Sequence, residues 1–269
     1  MSLRESVVTQ STLARQLSAI GVKAGQTIML HVSVKAIGWI IGGPDVLLET
    51  LLERLGETGT LMMYVAWEER PEHFARWSPV RQKAFLEECP PFRADRSRAN
   101  RKWSILTEYL RTWPGAFRSV NPGASMVAVG ARARWITAGH SLQYGYGPDS
   151  PLAKLCEVDG SVLQIGVAPR TVTLIHHAEH LARIPNKKIF RYRVPIQEGA
   201  NRIWINIEEY DTNGAVVEWS GGDYFEPIME EFHRIGAVVS GSVGAAQSYL
   251  FSARGLRDFA VDWLERHFA

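Results

Sequence analysis

Cysteine is scarce: the 269-residue chain carries only Cys89 and Cys156. Two distant thiols exclude a disulfide scaffold and match no paired redox motif, so both read as reduced structural residues rather than nucleophiles. No apolar run approaches the roughly 18 residues that span a bilayer. The opening MSLRESVVTQ lacks the basic end and apolar core of a secretory signal. The expectation is a cytoplasmic protein that meets no membrane. Repeats, low-complexity tracts and phosphate-loop glycine patterns are also missing, which speaks against a nucleotide-binding module, and no nucleic acid partner is expected. What is present is 46% hydrophobic and 10% aromatic, enough for a proper core.

The net charge of +2 says little, but its distribution is uneven. From Glu208 to Glu231 the chain carries Glu208, Glu209, Asp211, Glu218, Asp223, Glu226, Glu230 and Glu231 with no Lys or Arg among them. Such a stretch suits a cation. Basic residues gather at Arg93, Arg96, Arg98, Arg101 and Lys102, and again at Arg183, Lys187, Lys188, Arg191 and Arg193. Those suit phosphates. Either run also reads as a solvated face.

Leu13, Leu17 and Ile20 recur at helical spacing and stop at Gly21. Residues 26–31 read as a buried strand, 32–45 as a loop, 46–55 as a helix closed by Gly56, and 60–66 as a second strand. This alternation predicts a layered α/β domain over 1–269 with a central mixed sheet flanked by helices. Residues 67–101, rich in Pro, charge and aromatics, read as an insertion over the sheet edge that borders the substrate site. A helix is predicted over 103–111, strands over 126–129 and 161–165, antiparallel strands over 191–195 and 203–207, and a closing helix over 255–268.

The densest chemistry lies in Thr171-Val-Thr-Leu-Ile-His176-His177-Ala-Glu179-His180. His176 and Glu179 stand three residues apart on one predicted helical face, just beyond a strand end where ligands gather in α/β sheets. A carboxylate beside an imidazole fixes its tautomer and raises its basicity, as a general base requires. His176 and His180 also have a metal-ligand spacing, but the glutamate precedes the last histidine instead of following the first, so no metal is expected. His177 and His180 read as packed or solvated.

Four segments together resemble the aminoglycoside 3-N-acetyltransferases of the antibiotic N-acetyltransferase family, a fold distinct from the GNAT acetyltransferases. They are Leu30-His31-Val-Ser33-Val-Lys35-Ala-Ile-Gly38 with Gly42-Gly43-Pro44; Gly59-Thr-Leu-Met-Met-Tyr64 with Trp67; Arg118-Ser119-Val-Asn121-Pro122-Gly-Ala-Ser125-Met126; and Ser150-Pro151-Leu-Ala-Lys154 with Thr173-Leu-Ile-His176-His177-Ala-Glu179. Each is weak alone. Their order and spacing across nearly the whole chain make the match specific.

The resemblance implies an antibiotic N-acetyltransferase-like fold and transfer of the acetyl group of acetyl-coenzyme A to the 3-amino group of a 2-deoxystreptamine ring, hence antibiotic resistance. It implies His176 as base, Glu179 as its orienting carboxylate, and no covalent acyl-enzyme. Thr173 is a candidate oxyanion donor or simply a helix-start residue. Ser33, Val34 and Lys35 are candidates for the coenzyme, with Arg118 and Ser119 beside them. Lys35 reads equally as a surface lysine, and His31 as a supporting or a packed core histidine. For a polycationic acceptor the candidates are Glu68, Glu69, Glu209, Asp211 and Asp223, with Tyr64 and Trp67 as a wall for a sugar face or as core aromatics. Asn121 stands where one common form of the family has a histidine, which bears on acceptor range; the motifs look most like enzymes acting on gentamicin-type compounds. A monomer or homodimer is expected. Acetylation of a different amine and metal-dependent hydrolysis are the rival functions.

Overall fold

Apolar runs form the middle of the molecule and amphipathic helices cover it. The computed structural model describes residues 7–69, 71, 74–212 and 214–269, so the start of the chain read for a leader lies mostly outside the described residues. The first third comprises β1 (Val7–Val8), α1 (Gln10–Ala19), β2 (Thr27–Val32), α2 (Val34–Ile37), β3 (Trp39–Ile40), α3 (Asp45–Leu55) and β4 (Thr60–Tyr64). Helix α1 starts one turn earlier than its apolar spacing suggests, because Thr9 caps it through a bond from the Thr12 N–H. It buries Leu13 and Leu17 completely, about 2 kcal/mol each in apolar transfer.

The middle third contributes a 3-10 turn at Phe74–Arg76, α4 (Pro79–Glu88), α5 (Ile105–Arg111), β5 (Phe117–Arg118), β6 (Met126–Gly130), α6 (Ala133–Thr137), α7 (Pro151–Glu157) and β7 (Ser161–Ile165). Then follow α8 (Leu174–Leu181), β8 (Ile189–Glu198), β9 (Asn201–Tyr210), α9 (Phe225–Arg234), β10 (Val238–Val243), β11 (Ala246–Ser252) and α10 (Ala253–Phe268). The main sheet has seven strands in the order β10-β11-β7-β2-β4-β6-β5. Its centre, β7-β2-β4, is parallel and its flanks are antiparallel, so the sheet is mixed as expected.

Alternate side chains of the central strands feed two cores. Ile28, Leu30, Leu61 and Met63 face α1 and α3, while Met29, Met62 and Val162 face α8, α9 and α10. Three expectations are corrected. The loop over 32–45 contains α2 and β3, and β3 pairs with β1 in a separate two-stranded sheet. Strands β8 and β9 are longer than read and form their own hairpin outside the main sheet. The 67–101 insertion packs mainly on that hairpin: Trp67, Cys89 and Phe92 share a small core with Val194 and Ile207, and Arg202 donates to the Cys89 and Glu87 carbonyls.

Candidate active site

The parallel centre of the sheet determines where the cleft lies. At the carboxyl ends of β2, β4 and β7 the chain leaves the sheet in different directions, and a cleft of about 650 Å³ opens there. Leu30 to Val32, Met63, Tyr64 and Val167 form its floor; Thr171 to Thr173, His176 and Glu179 form one wall; residues 222–225 form another. Gly166 makes this possible. It turns the chain at φ +64°, and a Cβ there would stand 2.4 Å from the Ala36 Cβ, so α2 seats directly against the end of β7.

Helix α8 forms because Leu174, Ile175 and Ala178 bury one face. Its other face presents His176 to the cleft. The His176 Nδ1–H donates to Glu179 Oε2 at 2.7 Å, with the imidazole 21% and the carboxylate 1% exposed. Among the described residues nothing bonds the His176 Nε2. The other carboxylate oxygen, Oε1, accepts from the Tyr224 hydroxyl. That tyrosine is buried, and burial beside Glu179 holds its proton well above the ordinary range. Glu179 is thus oriented from both sides, and the imidazole lies between Tyr146 and Phe225, with ring centroids at 5.1 and 4.9 Å.

Of the other residues singled out in the sequence, His31, Tyr64, Thr173 and Asp223 line the same cleft. The His31 imidazole is buried enough that its pKa falls to about 4, so it is neutral near pH 7. Tyr64 donates its hydroxyl to the Gly123 carbonyl. Thr173 is the N-cap of α8 but makes no side-chain capping bond. Asp223 lies at the mouth, where Arg170 stands 3.8 Å away and also meets Glu226 at 3.1 Å. Ser33 caps the short α2 without a side-chain bond, and Val34 and Lys35 follow, Lys35 exposed.

Several candidates serve the scaffold instead of lining the cleft. Arg118, expected at the coenzyme, spends its guanidinium on the Ser97 and Val65 carbonyls and on Ser125 Oγ, and burial lowers its pKa to about 9. Ser119 is fully buried, accepting from the Met126 N–H and bonding His140. Asn121, expected at the acceptor, accepts from the Gly123 and Ala124 N–H groups and donates to the Ser141 carbonyl. Trp67 is buried on Phe92. Glu68 pairs with Arg101 at 3.5 Å, Glu69 is exposed away from the cleft lining, and Asp211 caps its own turn through the Gly214 N–H. Glu209 is buried against His180. The acidic and basic runs partly neutralise one another, through Arg191 with Glu208 and Lys188 with Glu218.

The sequence reading missed Tyr224, Tyr146, Phe225 and Arg170 at the site. None had a local signal, since each arrives from a segment remote from His176 or from an irregular loop. No helix among the described residues is long and apolar enough to cross a membrane, and among them no group of three or more His, Cys, Asp or Glu is arranged to hold a metal ion. Burial raises the Cys89 and Cys156 thiols to about 11, which leaves neither as a ready nucleophile.

Comparison with known proteins agrees with this architecture. The family described as aminoglycoside 3-N-acetyltransferase matches residues 29–265. The chain is 45% identical over 260 residues to aminoglycoside N(3)-acetyltransferase III of Pseudomonas aeruginosa, covering 97% of this chain and 94% of that one. It is 39% identical to aminoglycoside N(3)-acetyltransferase VII of Streptomyces paromomycinus, covering 96% and 92%. Among solved structures, AAC-IIIb in binary complex with CoASH superposes with a TM-score of 0.92 at 44% identity over 98% of both chains. AAC-VIa bound to sisomicin superposes at 0.91 and 35%, over 97% and 99%. The chain belongs to the antibiotic N-acetyltransferase family, the aminoglycoside 3-N-acetyltransferases, and is an acyltransferase.

Proposed function

We propose that this enzyme acetylates the 3-amino group of the 2-deoxystreptamine ring in aminoglycoside antibiotics, and that His176 is the base. The observation that carries the reading is the one-sided engagement of His176. Its Nδ1–H is committed to Glu179, so in the neutral imidazole Nε2 holds the lone pair, on a ring that lines the cleft.

An amine is mostly ammonium at neutral pH and cannot attack a thioester until it loses a proton. In the proposed step the ammonium first gives one proton to solvent; the neutral amine nitrogen then forms a C–N bond at the thioester carbonyl while a further proton passes from it to His176 Nε2, and the C–S bond breaks. The thiolate of coenzyme A leaves and takes up the proton that His176 holds. Glu179 stabilises the imidazolium between those events. The acceptor itself is the nucleophile, so no serine or cysteine need react. The developing oxyanion is assigned to backbone N–H groups at the start of α8, with Thr173 beside them. Ser33, Val34 and Lys35, which follow β2, are assigned to the coenzyme. Asp223, at the mouth of the cleft, is assigned to an ammonium of the acceptor, and Tyr64 to its sugar face.

The test is release of free thiol from acetyl-coenzyme A across aminoglycosides with and without a free 3-amine. Turnover confined to those with the free amine supports the reading. Turnover on amines lacking deoxystreptamine, with none on aminoglycosides, would reject it.

A further inference from the structure

One turn beyond the base, α8 carries a second imidazole–carboxylate pair that lines no part of the cleft. The His180 Nε2 stands 2.6 Å from Glu209 Oε1, with the two side chains only 3% and 7% exposed. The other ring nitrogen, Nδ1, stands 2.7 Å from the His176 carbonyl oxygen. A carbonyl can only accept, so Nδ1 carries a proton. Glu209 accepts as well: Oε2 takes the Gly145 N–H at 2.5 Å and Oε1 takes the Tyr210 N–H at 2.9 Å. Backbone N–H bonds on both oxygens favour the ionised carboxylate, and an ionised Oε1 can only accept from Nε2. In that state both ring nitrogens hold protons.

The surroundings are aromatic. The rings of Tyr210, Tyr146 and Tyr144 stand around His180 in T-shaped contacts at centroid distances of 4.9, 6.0 and 6.3 Å. Lys187 is the nearby like charge, and it is turned to the His180 carbonyl at 3.1 Å and to the Tyr210 ring.

The pair also grips the loop that carries Tyr146. Besides the Gly145 N–H held by Glu209, the Gly145 carbonyl accepts from His140 Nε2 at 2.6 Å and the Tyr146 carbonyl from His177 Nδ1 at 2.7 Å. Tyr144, just before them, holds a left-handed φ of 50° that a tyrosine rarely adopts without such restraint. Tyr146 itself packs on the His176 ring and reaches the Tyr64 hydroxyl at 3.2 Å. We propose that His180 is a buried imidazolium which, paired with Glu209, acts as a positioning residue: it locks Tyr146 against the base and ties α8 to β9. The positioning role rests on the reading of His176 as base; the charge of His180 does not.

The test is nitrogen-15 NMR of the histidine side chains in the full-length wild-type enzyme at pH 7.5, with the His180 signals assigned by their loss in His180→Gln. Expected are two protonated nitrogens for His180, and one protonated with one bare nitrogen after Glu209→Gln. One bare nitrogen on His180 in the wild type would overturn the charge assignment; should His180→Gln not fold, through-bond correlation of the His180 ring to its own backbone in the wild type gives the same assignment. Kinetically, His180→Gln should lower kcat at least about fivefold while leaving the KM for acetyl-coenzyme A within about twofold, and Glu209→Gln combined with it should add little. An unchanged kcat in folded His180→Gln would overturn the positioning role. Wild-type enzyme that acetylates no aminoglycoside would instead reject the proposed function and leave the NMR result standing.

Discussion

The two histidine–glutamate pairs built on α8, His176 with Glu179 and His180 with Glu209 of β9, are alike in chemistry and opposite in access. At the mouth, His176 keeps one nitrogen committed and, among the described residues, one unbonded, and its ring is 21% exposed. At the root, His180 has both nitrogens committed and is sealed at 3% exposure. A base must both hold a lone pair and meet its substrate, so only the first arrangement can exchange a proton with a bound amine. The second joins helix, hairpin and loop. One helical turn separates the two proposed roles, and the difference lies in what the rest of the chain packs against each ring.

The comparison is tested most severely by removing the proposed base. His176→Ala should lower kcat by at least about a hundredfold, the usual contribution of a general base, in a thiol-release assay with folding checked by circular dichroism. Near-normal turnover in folded protein would remove the distinction between mouth and root.

Acid should next expose the sealed side. His177 and His140 are buried, and burial lowers each pKa from the ordinary 6.5 to about 4. The unfolded chain therefore binds protons between about pH 6.5 and 4 that the folded chain does not. Their contribution to stability is whole above that window and is lost as pH falls through it, on the order of 3 kcal/mol each at most. Thermal melts should show Tm falling between pH 7 and 4.5, less steeply in His177→Gln. A Tm independent of pH across that window would contradict the sealed state of these rings.

Glu179→Gln should lower kcat by roughly tenfold or more, since it removes the charge that stabilises the imidazolium, and Tyr224→Phe by a few fold, since Glu179 then keeps only one orienting partner. Equal losses from the two would make Tyr224 as important as the charge itself. The smallest effects belong to the rim. Asp223→Asn should raise the KM for the aminoglycoside a few fold at low salt and less at high salt, because exposed charges are screened over about 8 Å at physiological ionic strength. Lys35→Ala should raise the KM for acetyl-coenzyme A and not that for the antibiotic. Steady-state kinetics at two salt concentrations read both.

What was legible in the sequence follows the same division. His176 and Glu179 were readable because a three-residue spacing on a helix is local geometry, and β2, β4 and β7 because buried parallel strands are continuous apolar runs. The hairpin β8–β9 was visible as two strands but not as separate from the main sheet, since pairing partners are not encoded in either strand alone. Helix α9 overlaps the acidic run, and β10 and β11 carry no continuous apolar signal because Ser240, Gly241, Ser242, Gln247 and Ser248 interrupt it. Asn121, Arg118 and Glu209 are polar groups whose type suits a ligand and suits buried backbone atoms equally. Only the fold shows that they satisfy the 119–126 loop, the Val65 and Ser97 carbonyls and the His180 pair. Tyr224 reaches Glu179 across 45 residues of sequence, a contact with no periodic signature.

The claim that access separates the two pairs is tested most directly by chemical rescue. Thiol release by His176→Ala and by His180→Ala is measured with added imidazole from zero to tens of millimolar, with saturating acetyl-coenzyme A and aminoglycoside. Imidazole should restore turnover to His176→Ala in proportion to its concentration, because the vacated position opens on the cleft, and should leave His180→Ala unchanged. Rescue of His180→Ala, or none of a folded His176→Ala, would contradict the account.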